Sequence, residues 1–203
     1  MGVDLSEAVD ASAVTMHGRH NVHLVQADLY QLPFVSGAFD ACYCIGVIQH
    51  TPDPEKALAS LPRILKPGGQ IAVTIYERKL RTLWNGKYLM RPLIKKLDKR
   101  TVLMAIKALM PFLFPLTEIL FRIPYLKRLF AFIIPIANYV HMPDLTLRQR
   151  YEWAILDTFD MLTPEYDHPL TQAEGERALR AGGVIGIRRL HNPGLNLVGD
   201  RRS

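Results

Sequence analysis

Residues 39–76 read FDACYCIGVIQHTPDPEKALASLPRILKPGGQIAVTIY, and the order of apolar and polar residues in this stretch predicts a strand, a helix and a second strand. The first ten residues are mostly apolar without strict alternation, as expected for a parallel strand covered on both faces. Asp53 can cap the following helix and Pro54 can begin it, LKPGG ends it, and residues 70–76 form the second strand. A strand–helix–strand unit of this length predicts a parallel sheet.

The flanking segments extend this sheet. VHLVQAD at residues 22–28 is predicted to be a strand that stops at a carboxylate. Thr171, with Glu174 three residues later, predicts a capping box at the start of a helix. Gly182 and Gly183 follow that helix and precede a strand, so they are predicted to cap the helix rather than to form a nucleotide loop. VIGIRRLH and LNLVGD then read as an antiparallel hairpin.

Residues 79–150 differ from the rest in composition. Between Lys79 and Arg128 there are twelve basic and two acidic residues, a net charge of +10, whereas the remaining 13 basic and 17 acidic residues give −4. The segment is helical in period, and its prolines are expected to divide it into several short helices. Its longest uncharged run, 129–143, is shorter than the roughly 18 to 20 residues of a spanning helix, so no transmembrane segment is predicted.

These patterns predict a core formed by residues 1–78 and 155–203, with a helical insertion at 79–154. Cys42 and Cys44, the only cysteines, lie on one face of a strand with α-carbons about 6.6 Å apart, beyond most of the disulfide range. We expect reduced core thiols, no metal site, a cytoplasmic protein and no secretory signal. Basic helices without a recognition motif do not predict a nucleic-acid partner.

Four segments, taken in order, resemble the class I S-adenosylmethionine-dependent methyltransferases, in particular the small-molecule group of methyltransferase type 11. The segments are GVDLSEAVDAS, QADLYQLPFVSGAFDACYCIGVIQHTPDPEKAL, LPRILKPGGQIAVTIY and DTFDMLTPEYDHPLTQAEGERAL. The resemblance implies a Rossmann-like, doubly wound α/β sheet of order 3-2-1-4-5-7-6 with a C-terminal antiparallel hairpin. It also implies S-adenosylmethionine as cofactor and in-line methyl transfer to a small-molecule or lipid-like acceptor.

Two carboxylates match cofactor-binding positions of the family. Asp4, followed by Leu5, matches the acid that accepts hydrogen bonds from both ribose hydroxyls; the alternative is that Asp4 only caps a helix. Asp28, with Ala27 and Leu29 beside it, matches the acceptor of the adenine amine. The alternative for Asp28 is a solvated residue at a strand end.

The stretch CIGVIQH matches the segment that passes under the methionine part of the cofactor in the family. Cys44, Ile45 and Gly46 are therefore predicted to contact the cofactor, at the carboxyl end of their strand where ligands of open parallel sheets bind. His50 follows as a candidate base that faces the acceptor, although a structural histidine fits equally well.

Tyr166 and His168 lie in the YDHP segment just before the last helix, and both are suited to orienting a polar acceptor or removing its proton. The alternative is that they only support the insertion. The insertion itself is expected to act as a lid over the methyl group or to pack its apolar face on the core. A third possibility is contact with a membrane surface, with its basic residues at anionic headgroups.

The family begins with a strand, a glycine-rich turn and a helix, which have no counterpart before GVDLS. The family strand order then leaves the first two strands of this chain without a hydrogen-bonded neighbour that links them to the next strand. We therefore expect a truncated chain, and whether it is active alone is left open. The alternative is a non-catalytic relative that acts as a binding or membrane-surface protein.

Overall fold

Two separate sheets carry the α/β part of the chain in the computed structural model, which describes residues 1–80, 84–192 and 194–203. In the first sheet, β1 (Gly2–Asp4) pairs in parallel with β2 (Leu24–Gln26), and α1 (Ala8–Thr15) connects them. The second sheet has four strands: β3 (Phe39–Ile45), β4 (Leu65–Ile75), β5 (Val184–Leu190) and β6 (Leu195–Arg201).

The second sheet has the order β3-β4-β6-β5. β3 and β4 are parallel, whereas β6 runs antiparallel to both β4 and β5. Within this sheet β6 is therefore the strand that runs against the others, and the order matches the 4-5-7-6 half of the family order. The α/β fold class with its closing hairpin is confirmed. Among the described residues, no ladder joins β1 and β2 to this sheet.

Local capping chemistry fixes the two helices that pack on the second sheet, α2 (Pro54–Ser60) and α7 (Gln172–Ala181). The Asp53 carboxylate accepts a hydrogen bond from the Lys56 amide at 3.0 Å. At α7, Thr171 and Glu174 form the predicted capping box. Gly183 follows α7 with φ of +87°, so GGVIG ends a helix as predicted.

The core of this part lies between α2, α7 and the sheet. Its fully buried side chains come from both helices, from the central strands and from the short 3₁₀ helices on either side of α2: Ile48, Leu58, Leu61, Leu65, Ile71, Ile75, Leu179, Leu195 and Leu197. Cys42 and Cys44 are free and pack partly against this core. Burial raises the pKa of the Cys42 thiol, and burial together with the nearby Cys42 raises the pKa of Cys44 to about 12.

Two strand boundaries differ from the sequence prediction. β2 is only three residues long, because the chain turns into a short 3₁₀ helix at Leu29–Gln31. β4 begins at Leu65, so LKPGG lies within a strand and does not simply end α2. Phe39 pairs with Leu65 and Ala41 with Gln70, which leaves KPGG as a bulge in β4. Pro67 cannot donate to a ladder and Gly68 has φ of +76°, and both fit a bulge.

The helical unit, residues 79–165, contains α3 (Gly86–Ile94), α4 (Lys99–Leu120), α5 (Lys127–Ile133) and α6 (Leu147–Leu162). The expectation that the prolines divide this segment into short helices is wrong for α4, which continues through Pro111 and Pro115 for 22 residues. Each proline removes one helical hydrogen bond. Tertiary packing compensates, because Ile106, Met110 and Phe114 are buried in a cluster that α6 completes.

The boundary between the two units also differs from the expected residue 155. The core unit comprises residues 1–78 and 166–203, and the helical unit ends at Glu165. The reason is that α6 runs without interruption across residue 155. Ala154, Ile155 and Phe159 all pack in the same apolar cluster of the helical unit.

The capping box of α7 predicts a pH-dependent contribution to stability. Burial alone would raise the pKa of Glu174, but hydrogen bonds from Thr171 and the charge of Arg78 lower it overall. A lowered folded-state pKa stabilises the fold above the unfolded value of 4.5, and this stability is lost as the pH falls through the folded value. We expect Glu174→Gln to lower the free energy of unfolding at pH 7 by about 0.5 to 1 kcal/mol.

Urea denaturation at pH 7 and at acidic pH measures this effect, and the difference between Glu174→Gln and wild type should disappear at the acidic end. Glu152→Gln is the matched control, because its ion pair with Arg148 is exposed and worth little. If the free energy of unfolding still differs between Glu174→Gln and wild type by the same amount in acid, the ionised Glu174 carboxylate is not the source of the effect.

Candidate active site

The first part of the site lies where β1 and β2 end. The Ala27 amide donates to the Asp4 carbonyl at 2.9 Å, which continues the pairing of the two strands past Gln26. Leu5 is exposed, and its carbonyl accepts a hydrogen bond from the Gln26 side chain at 3.1 Å. Asp4 and Asp28 are therefore placed at neighbouring strand ends, both with exposed side chains.

Each of these carboxylates is oriented by one of its two oxygens. Asp4 Oδ1 accepts hydrogen bonds from the Ser6 amide at 2.8 Å and the Ser6 hydroxyl at 2.7 Å. Asp28 Oδ1 accepts one from the Tyr30 amide at 2.9 Å. The Oδ2 atoms take no part in these hydrogen bonds, so on each exposed carboxylate they remain acceptors for hydroxyl or amine donors.

The structure differs from the alternative interpretations of both carboxylates, a helix cap for Asp4 and a solvated strand end for Asp28. Asp4 does not cap α1, because the residue at the N-cap position is Glu7 and the helix begins at Ala8. Asp28 is more than a solvated residue, since it caps the 3₁₀ helix Leu29–Gln31. Leu29, the third predicted residue of this segment, packs partly against the core.

Tyr30 attaches this sheet to the rest of the core unit. Its hydroxyl donates to the Asp53 carbonyl at 2.9 Å and accepts from the Asp53 amide at 2.8 Å. The Ser60 hydroxyl also contacts the Leu29 carbonyl, at 3.4 Å. The segment after Asp28 is thus held against α2.

The second part of the site is a glycine turn at the carboxyl end of β3. Gly46 has φ of +71°, a conformation that other residues rarely adopt. Its amide donates to the Thr74 carbonyl at 2.9 Å, and its carbonyl accepts from Gln49 Nε2 at 2.7 Å. Ile45 before it is 64% exposed. Cys44 points to the opposite side and packs partly on the core, so a ligand at the Ile45 side would meet only its backbone.

His50, Tyr166 and His168 come together next to this turn. His50 Nδ1 lies 3.0 Å from the Tyr166 carbonyl oxygen. A carbonyl only accepts, so Nδ1 carries the proton and Nε2 of the neutral ring is an acceptor. The His168 amide donates to the Gln49 carbonyl at 2.8 Å, and the Tyr166 and His168 ring centroids are 5.7 Å apart.

Two residues of this region were missed by the sequence analysis. Gln49 is fully buried, and its Oε1 has no hydrogen-bond partner among the residues that the structure describes. Tyr76 packs edge-on against the His50 ring, with centroids 5.6 Å apart. A polar residue inside the apolar run that follows a glycine was a signal for Gln49, whereas the Tyr76 contact depends on the fold.

Within the described ranges, no group of three or more His, Cys, Asp or Glu side chains could hold a metal ion. The polar groups of the site are instead carboxylates at two strand ends, a glycine turn and an oriented imidazole. In an open α/β sheet, nucleotide-like ligands bind at the carboxyl ends of the parallel strands, where these groups lie. The fold is that of the Rossmann-like α/β class.

Comparisons with known proteins define the class further. A family model described as a methyltransferase domain matches residues 1–73. The ubiquinone/menaquinone biosynthesis C-methyltransferase UbiE of Idiomarina loihiensis is 35% identical over 68 residues, which are 34% of this chain and 27% of that protein. The demethylmenaquinone methyltransferase of Paenarthrobacter aurescens is 31% identical over 78 residues, 37% of this chain and 31% of that protein.

Solved structures support the fold. The CurJ carbon methyltransferase has a TM-score of 0.50 at 11% identity, over 99% of this chain and 41% of that one. A chain in the complex of the Haloferax volcanii Trm112 methyltransferase activator with its proposed methyltransferase has a TM-score of 0.51 at 13% identity. That match covers 100% of this chain and 71% of that one.

Residues 1–73 match the methyltransferase domain family, and over this stretch the resemblance to class I S-adenosylmethionine-dependent methyltransferases is borne out. The matched region includes Asp4, Asp28, Gly46 and His50. The aligned stretches span less than a third of the length of the curated relatives named above.

The buried amide of Gln49 leads to a prediction about the order of the glycine turn. Gln49→Leu keeps a similar volume but cannot donate to the Gly46 carbonyl. The loss of one internal hydrogen bond, worth about 0.5 to 1.5 kcal/mol, should speed amide hydrogen exchange in residues 45–51 by about two- to tenfold.

Hydrogen–deuterium exchange followed by mass spectrometry gives the readout. Gln70→Leu is the control, because its side chain makes one long contact, 3.4 Å, at the surface of β4. If both variants alter residues 45–51 equally, the Gln49 amide does not hold the turn.

Proposed function

We propose that this protein is an S-adenosylmethionine-dependent methyltransferase that acts on a small-molecule acceptor. One observation carries the proposal: Asp4 and Asp28 lie at adjacent strand ends, both exposed, each with one carboxylate oxygen held by a backbone amide. They do so inside the segment that matches the methyltransferase family. This arrangement suits a nucleoside that offers ribose hydroxyls and an exocyclic amine.

The residues of the site fit this cofactor. Asp4 would accept hydrogen bonds from the two ribose hydroxyls, and Asp28 would accept one from the adenine amine. Ala27 and Leu29 flank Asp28, and Ile45 with the Gly46 backbone provides an open surface at the end of β3. When bound, S-adenosylmethionine supplies a methyl group on a sulfonium centre.

His50 is the residue that we assign to the acceptor. The Tyr166 carbonyl fixes its tautomer, so Nε2 can accept a proton from an acceptor hydroxyl or polarise it. Tyr166 and His168 lie beside it and would orient the acceptor. The group that leaves is a neutral thioether and needs no general acid. Alignment and exclusion of water therefore account for most of the rate that the protein provides.

For the acceptor, we propose a lipid-like compound, with quinones as the first class to test. The support is that two relatives are named for ubiquinone, menaquinone or demethylmenaquinone. We further propose a cytoplasmic protein that contacts membranes peripherally through residues 79–150. These assignments set the probes for the experiments below.

Substitution of the two carboxylates tests the cofactor site. We expect Asp4→Ala to weaken binding of S-adenosylmethionine more than Asp28→Ala does, because Asp4 would hold two hydroxyls and Asp28 one amine. Each charged hydrogen bond is worth about 1.5 to 3 kcal/mol, so losses of about 10- to 100-fold are expected. Saturation-transfer NMR on the ribose and adenine protons is suitable, since it detects weak complexes in fast exchange.

Asp10→Ala is the control, because Asp10 is an exposed carboxylate on the neighbouring α1. Wild-type protein without saturation transfer to the cofactor would overturn the proposed cofactor site. Equal or reversed losses for Asp4 and Asp28 would overturn only their individual roles.

The second test separates a base from a structural histidine at position 50. In His50→Asn, the side-chain amide can still donate to the Tyr166 carbonyl, but no basic nitrogen remains. We expect turnover to fall by about 100-fold or more, with the melting temperature nearly unchanged. The assay is transfer of labelled methyl from S-adenosylmethionine to reduced demethylmenaquinone in detergent micelles.

His168→Ala serves as the comparison, since the contact that fixes this residue is made by its backbone amide. Full activity in His50→Asn would show that His50 is only a support. Cofactor binding without methyl transfer to any quinone or small phenol would indicate a non-catalytic binding protein.

A further inference from the structure

Helix α4 is apolar on two opposite faces. With 3.6 residues per turn, residues 102, 106, 110, 113 and 117 follow one face of the helix, and residues 104, 108, 112, 115 and 119 follow the other. The first face includes Val102, Ile106 and Met110, which are buried against residues of α6. Packing of the first face accounts for the folding of the helical unit. It gives no reason for the second face to be apolar.

The second face of α4 is exposed although its residues are large and apolar. Phe112 is 75% exposed and Ile119 is 66% exposed. Met104 at one end of this face and Leu116 beside it are about half exposed. A monomeric soluble protein rarely exposes a continuous apolar strip of this length, so the face indicates a binding partner.

Positive charge lies at the N-terminal end of the exposed face and along one of its flanks. Lys95, Lys96, Lys99 and Arg100 lie before or at the start of α4, and all four are exposed. Lys107, seven residues after Arg100, lies on the same side of the helix and flanks the apolar face. The segment from Lys79 to Arg128 has a net charge of +10.

We propose that α4 lies in the plane of an anionic lipid bilayer and docks through its exposed face. Phe112, Leu116 and Ile119 would enter the boundary between headgroups and acyl chains. Lys107 and the basic residues at the start of the helix would meet anionic headgroups with their apolar stems along the surface. The anionic surface is favoured over a second copy of the chain, because two segments of +10 would repel each other.

Docking in the plane fits better than crossing. By length and composition α4 could span a membrane, and among the described residues it is the one helix that could. However, Lys107 lies near its middle and would sit in the hydrocarbon. Glu118 pairs with the buried Arg150 of α6, so one side of α4 is committed to the helical unit.

This docking rests on the peripheral membrane contact proposed above and names the face that makes it. It requires neither the cofactor nor an acceptor, so it can fail or succeed independently of the proposed methyl transfer. It would give the protein access to acceptors dissolved in the bilayer. The test is flotation of the whole chain with vesicles of phosphatidylglycerol and phosphatidylcholine, or of phosphatidylcholine alone. We expect flotation with the anionic vesicles only, weakened by high salt.

The double variant Phe112→Asn with Ile119→Asn should lower the partition coefficient by about tenfold or more. Its matched control is Val14→Asn with Val35→Asn, which removes two side chains of the core unit that are equally exposed. Circular dichroism melts show whether each variant is folded; both pairs lie on the surface and should melt like wild type.

Four results would overturn the proposal. One is wild-type protein that stays unbound, or that binds both vesicle types equally. Another is an equal fall in the partition coefficient of the Val14→Asn and Val35→Asn control. The third is a dimer in analytical ultracentrifugation that the Phe112 and Ile119 variant dissociates, since a second copy would then cover this face. Protein that resists extraction at alkaline pH would show a spanning helix instead.

Discussion

Parallel pairing of β3 with β4 is the constraint on which the core unit depends. β4 is hydrogen bonded on both edges, and Ile71, Val73 and Ile75 are almost fully buried. A strand in this position cannot move without exposing backbone groups and apolar side chains together. It therefore fixes where β3 ends, and with it the position of the Gly46 turn. It also provides Thr74, whose carbonyl accepts the Gly46 amide.

The attachment of the β1–β2 sheet to the rest of the core unit depends on side chains instead of a ladder. The two hydrogen bonds of the Tyr30 hydroxyl with Asp53 hold the end of β2 against the start of α2. Asp53 has two roles, because its carboxylate caps α2 while its backbone binds Tyr30. The position of Asp28 is thereby coupled to α2, the helix that follows His50. In the described part of the chain, no strand ladder joins β1 and β2 to the second sheet.

The sequence was sufficient where chemistry is local. Asp53 with Pro54, and Thr171 with Glu174, were predicted correctly because a cap involves residues only a few positions apart. Pro111 and Pro115 led to a wrong prediction of helix ends. The helical hydrogen bonds that they remove are offset by packing of α4 against α6, which no local pattern reveals. For the site, the family resemblance brought His50 and Tyr166 forward separately. The carbonyl of Tyr166, 116 residues away, orients the imidazole, and only the fold shows this contact.

The rotation of α4 is specified by polar groups as well as by apolar packing. Thr117 and Asn138, both buried, share a hydrogen bond of 3.0 Å, and Arg150 binds Asn138 and pairs with Glu118. Burial alone would raise the pKa of Glu118, but the hydrogen bonds from Arg150, Arg122 and Asn138 lower it overall. A buried ion pair adds little net stability, because desolvation opposes the attraction. The Glu118–Arg150 pair does, however, disfavour any rotation of α4 about its axis that separates the two charges. The same contacts that hold Glu118 inward keep Phe112 and Ile119 outward, so the exposed apolar face follows from the packing of the helical unit.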